Sequence, residues 1–180
     1  MIKQIQLFLL IIITTNAQTV IDVDLYRIAE DIVDGPEAIA FDGEGKMYTA
    51  NEDGRIIVLP RDGTDPYDFA QTEGRPLGLK FDLQGNLIVA DAYEGLLSID
   101  TTGEITILST ECDSLPFLLT DDLDISSDGI IYFSDASSVN NLENNGDDWG
   151  EPNGRLLAYD PQTNETSLLL DGLYLSLIHI

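Results

Sequence analysis

The sequence has 180 residues and a formal net charge of −25, from 33 acidic and 8 basic residues. A charge of this sign repels nucleic acid and anionic membranes, so we expect no nucleic-acid partner. Hydrophobic residues make up 43% of the chain, which excludes a disordered and purely solvated polypeptide.

The chain begins with a segment that has the layout of a secretory signal peptide. Residues 1–17 contain a single lysine, an apolar run over 7–13 and a short stretch of small and polar residues that ends at Ala17, as is found before a cleavage site. Because the apolar run is too short to span a bilayer, we predict cleavage near Gln18 and a secreted or periplasmic protein. An uncleaved N-terminal anchor is the alternative, and only in that case do we expect association with a membrane.

A unit of short strands then occurs three times. Each copy starts with a strand, a turn that contains glycine, and an apolar strand ending in Asn or Asp, and a closing half that completes a unit of four short strands follows. The first halves of the copies cover 35–51, 74–91 and 120–135. A repeat of about 40 residues with four short strands and no helical pattern is typical of a β-propeller blade.

We therefore predict an all-β protein built as a β-propeller. A β-sandwich is the alternative, since it also has short strands at regular spacing. The repeated register of the turns favours the propeller, because a sandwich does not require its turns to recur at one position.

Two segments depart from the repeat. Residues 139–153 form a polar, turn-rich insertion between the second and third strands of the third copy, which we predict to be a loop over one face. The hexapeptide 175–180 has no turn and no acidic residue, and it matches the translation of a transposon-end sequencing adapter. We therefore expect a partial, truncated propeller domain over 18–174 and a non-native tail over 175–180.

Two isolated residues carry weaker signals. Asn164 opens an Asn-Glu-Thr glycosylation sequon, which matters only in a eukaryotic source. Cys112 is the only cysteine, and no base or cation lies near it in the sequence, so we expect no catalytic thiolate. A disulfide partner for Cys112 would have to lie in a longer chain.

The repeats resemble the strictosidine synthase-like branch of the six-bladed propellers, whose relatives include adipocyte plasma membrane-associated protein, the paraoxonases and the gluconolactonases. This resemblance implies a six-bladed β-propeller, of which the chain carries about the first three blades. The residues that carry it lie at 35–37, 74–79, 90–97, 120–124, 131–138 and 154–160.

Alignment of the repeats places Glu37, Leu77 and Asp121 at the same point, just ahead of each innermost strand. In a propeller this point lies beside the central channel, so the three side chains can converge. Ca²⁺ takes six to eight oxygen ligands, which no single blade supplies. The resemblance implies an axial Ca²⁺ held by Glu37 and Asp121, although the family usually has Asn at the second position. The alternative is that both residues are capping or turn acids.

The resemblance further implies an exported, calcium-dependent hydrolase of esters or lactones, similar to an arylesterase or lactonase, with a small-molecule substrate. The paraoxonases carry histidine as a proposed base where this chain has Leu77, so we expect no histidine mechanism of that kind. Catalytic residues stay unassigned, and the synthase reaction is not expected from fold similarity. A non-catalytic exported propeller that binds a ligand or protein partner is the alternative.

An incomplete ring also leaves blade faces without neighbours. We expect this for the apolar runs 87–89 and 168–170, because repeat units gain much of their stability from contacts between neighbours. The sequence therefore predicts poor solubility and weak cooperativity on unfolding for the 180-residue chain.

Overall fold

The computed structural model describes residues 32–62, 65–143 and 150–174. The predicted signal peptide over 1–17 and the predicted tail over 175–180 lie outside these residues. Within the described ranges, no helix has both the length and the apolar character needed to cross a membrane.

Three four-stranded antiparallel sheets follow one another along the chain, and each pairs its strands in chain order. The first sheet contains β1 (Ile39–Phe41), β2 (Met47–Ala50), β3 (Arg55–Leu59) and β4 (Tyr67–Gln71). The second contains β5 (Pro76–Phe81), β6 (Leu87–Asp91), β7 (Gly95–Ile99) and β8 (Ile105–Ser109). After a small hairpin of β9 (Glu111–Cys112) and β10 (Leu115–Pro116), the third contains β11 (Thr120–Ile125), β12 (Ile131–Asp135), β13 (Gly154–Asp160) and β14 (Glu165–Leu173). This is the order of three propeller blades, in place of the two facing sheets of a sandwich.

Aspartate side chains shape the turns between the first two strands of a blade. Asp42 Oδ1 accepts hydrogen bonds from the backbone N–H groups of Glu44 and Lys46, which follow it by two and four residues, both at 2.9 Å. Asp82 makes the same pair of bonds at 2.9 and 2.8 Å. The turn glycines Gly45 and Gly85 have φ values of 81° and 87°, a region that other residues rarely adopt. These acids therefore have a structural role that needs no ligand.

The core lies between successive blades. Between the first two, Tyr48 packs edge-on against Phe69 and Phe81, with ring centroids 5.2 and 4.9 Å apart. The prediction that 87–89 would lack neighbours is wrong, because these residues belong to the central blade and are at most 2% exposed. The run 168–170 in the last blade is 40–54% exposed, as predicted.

The insertion predicted in the third repeat lies where the sequence placed it, because β12 ends at Asp135 and β13 begins at Gly154. Its base is closed by Ser138, which donates from N and from Oγ to the carbonyl of Asn153 at 3.0 and 2.9 Å. Residues 144–149 of the insertion are outside the described part of the chain.

One hydrogen bond recurs in all three blades and fixes the segment that leads to the innermost strand. The side-chain Oδ1 atoms of Asn51, Asp91 and Asp135 each accept from a backbone N–H 16 or 17 residues earlier, at 2.6, 2.9 and 2.9 Å. These donors precede the three aligned positions, Glu37, Leu77 and Asp121, by two or three residues in the sequence. The recurrent Asn or Asp therefore holds those positions in equivalent places.

Candidate metal centre in the central pocket

The three aligned positions converge. Glu37, Leu77 and Asp121, one from each blade, all line a single open pocket of about 450 Å³. The lining also includes residues that the repeat did not single out, namely Glu52, Arg75, Leu119 and Leu142.

Irregular pairing in two innermost strands explains how these side chains reach the pocket. The pairing of β5 with β6 shifts register between Pro76 and Gly78, and the pairing of β11 with β12 shifts between Thr120 and Leu123. A β-bulge leaves a residue out of the ladder and re-aims its side chain. Leu77 lies in the first shift and Asp121 lies within the second.

Asp121 carries a charge that nothing in the described chain balances. Burial, followed by the negative charges of Asp122 and Glu37, raises the pKa of Asp121 to about 6. Across the described ranges, its carboxylate forms no hydrogen bond and no ion pair within 4.0 Å. A cation placed beside this carboxylate would relieve both the burial cost and the repulsion.

Glu37 is more open and has one partner. Its side chain is 59% exposed, and Oε1 lies 3.5 Å from Nη2 of Arg75. The same Nη2 donates to the carbonyl oxygen of Gly35 at 2.7 Å, so Arg75 of the second blade is anchored on the first. Because the pair is long and its acid is exposed, it contributes little stability and leaves the carboxylate free to engage another cation.

A capping or turn role does not explain either Glu37 or Asp121. A capping carboxylate accepts hydrogen bonds from nearby backbone N–H groups, as Asp42 and Asp82 do. Neither Glu37 nor Asp121 accepts such a bond from the residues that the structure describes.

The donor set matches part of what calcium needs. Carboxylate oxygens suit Ca²⁺, and two acids from different blades can share one ion. Among residues 32–62, 65–143 and 150–174, no group of three or more His, Cys, Asp or Glu side chains could hold a metal ion. Most of the six to eight oxygens would therefore come from donors other than these two side chains.

Asn164 and Cys112 lie outside this pocket's lining. Asn164 is exposed in the turn between β13 and β14, with φ of 57°, and its Oδ1 accepts from the Tyr159 hydroxyl at 3.0 Å. Cys112 is 4% exposed, and burial together with the charge of Asp113 raises the pKa of its thiol. A buried thiol with a raised pKa is a poor nucleophile.

Sequence reasoning missed Arg75. This residue occupies the repeat position that holds Gly35 in the first blade and Leu119 in the third, so no recurring type marked it. Its position two residues ahead of Leu77 was the available signal, because it places the guanidinium on the segment that leads to the axis.

Three consecutive blades around an acid-lined central pocket define part of a β-propeller. Residues 121–177 match the family model of strictosidine synthase, and residues 23–59 match the model of the strictosidine synthase-like N-terminal region. The chain belongs to the strictosidine synthase-like family, which confirms the resemblance drawn from its repeats.

Two curated relatives illustrate the match. Protein Strictosidine Synthase-like 6 of Arabidopsis thaliana is 38% identical over 151 residues, which cover 79% of this chain and 41% of that protein. Adipocyte plasma membrane-associated protein of Salmo salar is 34% identical over 175 residues, covering 82% of this chain and 40% of that protein. The chain thus spans about two fifths of the length of these relatives.

A solved structure shares the fold. A gluconolactonase from Xanthomonas campestris superposes with a TM-score of 0.63 at 16% sequence identity, over 77% of this chain and 48% of that chain. At this identity the likeness shows the fold alone. It confirms the prediction of a partial β-propeller.

Proposed function

We propose that the protein is an exported, calcium-dependent hydrolase of small-molecule esters or lactones. The observation that carries the proposal is the convergence of Glu37 and Asp121 from different blades on one pocket, with the charge of Asp121 unbalanced by any described residue. Family membership supports it, and the name of the gluconolactonase neighbour indicates that a related fold acts on a lactone.

Glu37 and Asp121 would hold the ion, with further oxygens from other parts of the ring. Bound calcium would supply a Lewis acid that polarises the substrate carbonyl and stabilises the oxyanion. Asp121 would give up its proton as the site fills, because only the ionised carboxylate is a ligand.

The apolar part of the pocket would hold the remainder of the substrate. Leu77, Leu119 and Leu142 line it beside the acids, and Leu77 and Leu119 are buried. Such a surface contacts an alkyl or aryl group and limits access of water to the scissile bond. We assign no general base to this chain.

The activity is tested with a panel of aryl esters and lactones on the full-length protein. We expect hydrolysis that is lost in excess EDTA and restored by added calcium. Glu37→Gln should lower turnover at calcium concentrations that half-saturate the wild type, whereas Glu44→Gln, which changes an exposed acid paired with Lys46, should leave it unchanged. Undiminished turnover in EDTA would contradict the role of the metal.

A non-catalytic propeller that binds a ligand or protein partner is the second candidate. The contact of Glu37 with Arg75 favours it, because this acid already has a cationic neighbour without any metal. Absence of turnover across the whole panel would support this candidate over the hydrolase.

Export rests on the signal-like segment over 1–17. Mass spectrometry of protein recovered from the culture medium or periplasm should find a new N-terminus near Gln18. Recovery of the uncleaved chain in the membrane fraction would support an N-terminal anchor in its place.

A further inference from the structure

The irregular segments of the second and third blades touch at Gly78. A methyl group added to Gly78 would lie 2.8 Å from the carbonyl oxygen of Asp121, 3.0 Å from the Cα of Asp122 and 3.2 Å from the Cβ of Ala90. Two of these three atoms belong to the backbone of β11, and neither can rotate away.

Steric crowding, and not the backbone conformation, requires glycine at position 78. Gly78 does not have the positive φ that marks the turn glycines Gly45, Gly85 and Gly129. Nor does the repeat require glycine here, since the equivalent positions hold Ala38 and Asp122. Residue 78 is therefore small because β11 approaches β5 closely at the point where Asp121 leaves the ladder.

We propose that Gly78 is a positioning residue for Asp121, because the missing side chain at 78 sets where the carboxylate of Asp121 lies relative to Glu37. This inference rests on the proposed calcium site. The Asp121 carbonyl and carboxylate share one Cα, so a shift of the backbone moves the ligand. Calcium–oxygen distances span only about 2.3 to 2.6 Å, so a displacement of a few tenths of an ångström disturbs coordination.

The structure also restricts how β11 could yield. The backbone N–H of Asp122 donates to Ser134 Oγ of β12 at 3.2 Å, and the regular pairing of β11 with β12 resumes between Leu123 and Phe133. Moving Asp121 away from a new methyl group would strain this bond and this pairing. The displacement should therefore be concentrated at residues 121 and 122.

The test is calcium titration of Gly78→Ala in the full-length protein by isothermal calorimetry. We expect an affinity about 10- to 100-fold lower than that of the wild type, the range found when residues supporting metal ligands are changed. Gly43→Ala is the matched control, because no atom lies within 4 Å of its added methyl group and its φ is not positive. It should bind calcium as the wild type does.

A double variant separates the three close contacts. Gly78→Ala with Ala90→Gly removes the crowding at Ala90 and keeps the contact with the Asp121 carbonyl. We expect the affinity to stay low. Restoration to the wild-type value would overturn the assignment, because it would place the cause at Ala90.

A second readout works without calcium. In the metal-free protein, the largest amide chemical-shift changes caused by Gly78→Ala outside its own strand should fall on Asp121 and Asp122. Unchanged chemical shifts at Asp121 and Asp122 would overturn the inference, whether or not the wild type binds calcium. A wild type that binds no calcium would instead defeat the proposed function. Wild-type affinity in Gly78→Ala would overturn the positioning role alone.

Discussion

Arg155 donates from Nε and Nη2 to the same carboxylate oxygen of Asp135, at 3.0 and 2.6 Å, in an ion pair almost closed to solvent. The repeat places Asp91 at the equivalent position of the second blade, where the residue paired with it on the next strand is Gly95 in place of the arginine. Oδ2 of Asp91 is accordingly buried without a hydrogen-bond partner among the described residues. The same aspartate thus has an arginine partner in one blade and, among the described residues, only backbone N–H partners in its neighbour.

This contrast predicts opposite outcomes for one substitution. Asp135→Asn should lower the free energy of unfolding by about 3 kcal/mol or more, because it leaves Arg155 charged, buried and unpaired. Asp91→Asn should change it by less than about 1 kcal/mol, since Oδ1 keeps its three backbone donors and a buried charge is removed. Asn51 already fills this position in the first blade.

Urea denaturation of the two variants beside the wild type measures this difference. Equal losses of stability in both would show that the ion pair with Arg155 contributes nothing beyond the hydrogen bonds that the two aspartates share.

Removing the proposed ligands should weaken calcium binding in a graded way. Asp121→Ala should cost more affinity than Asp121→Asn, because the amide keeps one oxygen donor and loses only the charge. Glu37→Gln should also weaken binding, by about tenfold or more. Isothermal calorimetry checks each value, and wild-type affinity in both Asp121→Ala and Glu37→Gln would refute the shared site.

Calcium affinity should depend on pH near the pKa of Asp121. Because the pKa of Asp121 is raised to about 6, protons compete with the metal as the pH falls through this value. We expect an affinity that is flat above about pH 7 and falls by up to about tenfold per pH unit below 6. Asp121→Asn should lose this step, and a profile identical to the wild type would assign the step to another group.

The metal-free protein should show the opposite trend in stability. The pKa of Asp121 in the folded state, about 6, lies above its ordinary value of 3.8, so the folded state holds more protons between these values. Stability from this group is therefore present below about pH 4 and is lost as the pH rises through 6. Comparing the unfolding of the wild type and Asp121→Asn in EDTA from pH 4 to 7 isolates the contribution, and parallel curves would contradict it.

Cys112 should be unreactive in the folded protein. Its thiol is buried, with a raised pKa, and its Sγ lies 3.6 Å from the carbonyl oxygen of Thr166. Labelling by a thiol reagent at pH 8 should be slow in buffer and fast in denaturant. Fast labelling under native conditions would show that β9 opens away from β14.

Local patterns predicted the blades and the convergence of Glu37 with Asp121. The alternation of apolar and polar residues and the turn glycines such as Gly45 and Gly85 are properties of short segments. They can therefore be recognised in the sequence without knowing which blades are neighbours. Their period then places equivalent residues at the axis. The apolar strand predicted at the end of the half-copy 74–91 corresponds to β6 for this reason.

Contacts between blades could not be predicted in the same way. The anchoring of Arg75 on the Gly35 carbonyl and the crowding of Gly78 against Asp121 join residues 40 or more positions apart, and Leu142 reaches the pocket from the insertion. None of them recurs in the repeat, so no periodic signal exists for them. The run 87–89 was misjudged for a related reason, because its burial depends on both neighbouring blades.

The order of strands within each blade bears on how the chain is made. Each described sheet pairs consecutive strands, so short loops close at low entropic cost and a blade can form once its own residues have left the ribosome. Arg155 departs from this scheme, since it donates to the carbonyls of Leu115 and Pro116, 40 and 39 residues earlier. The β9–β10 hairpin can thus take its final position only after β13 has been synthesised.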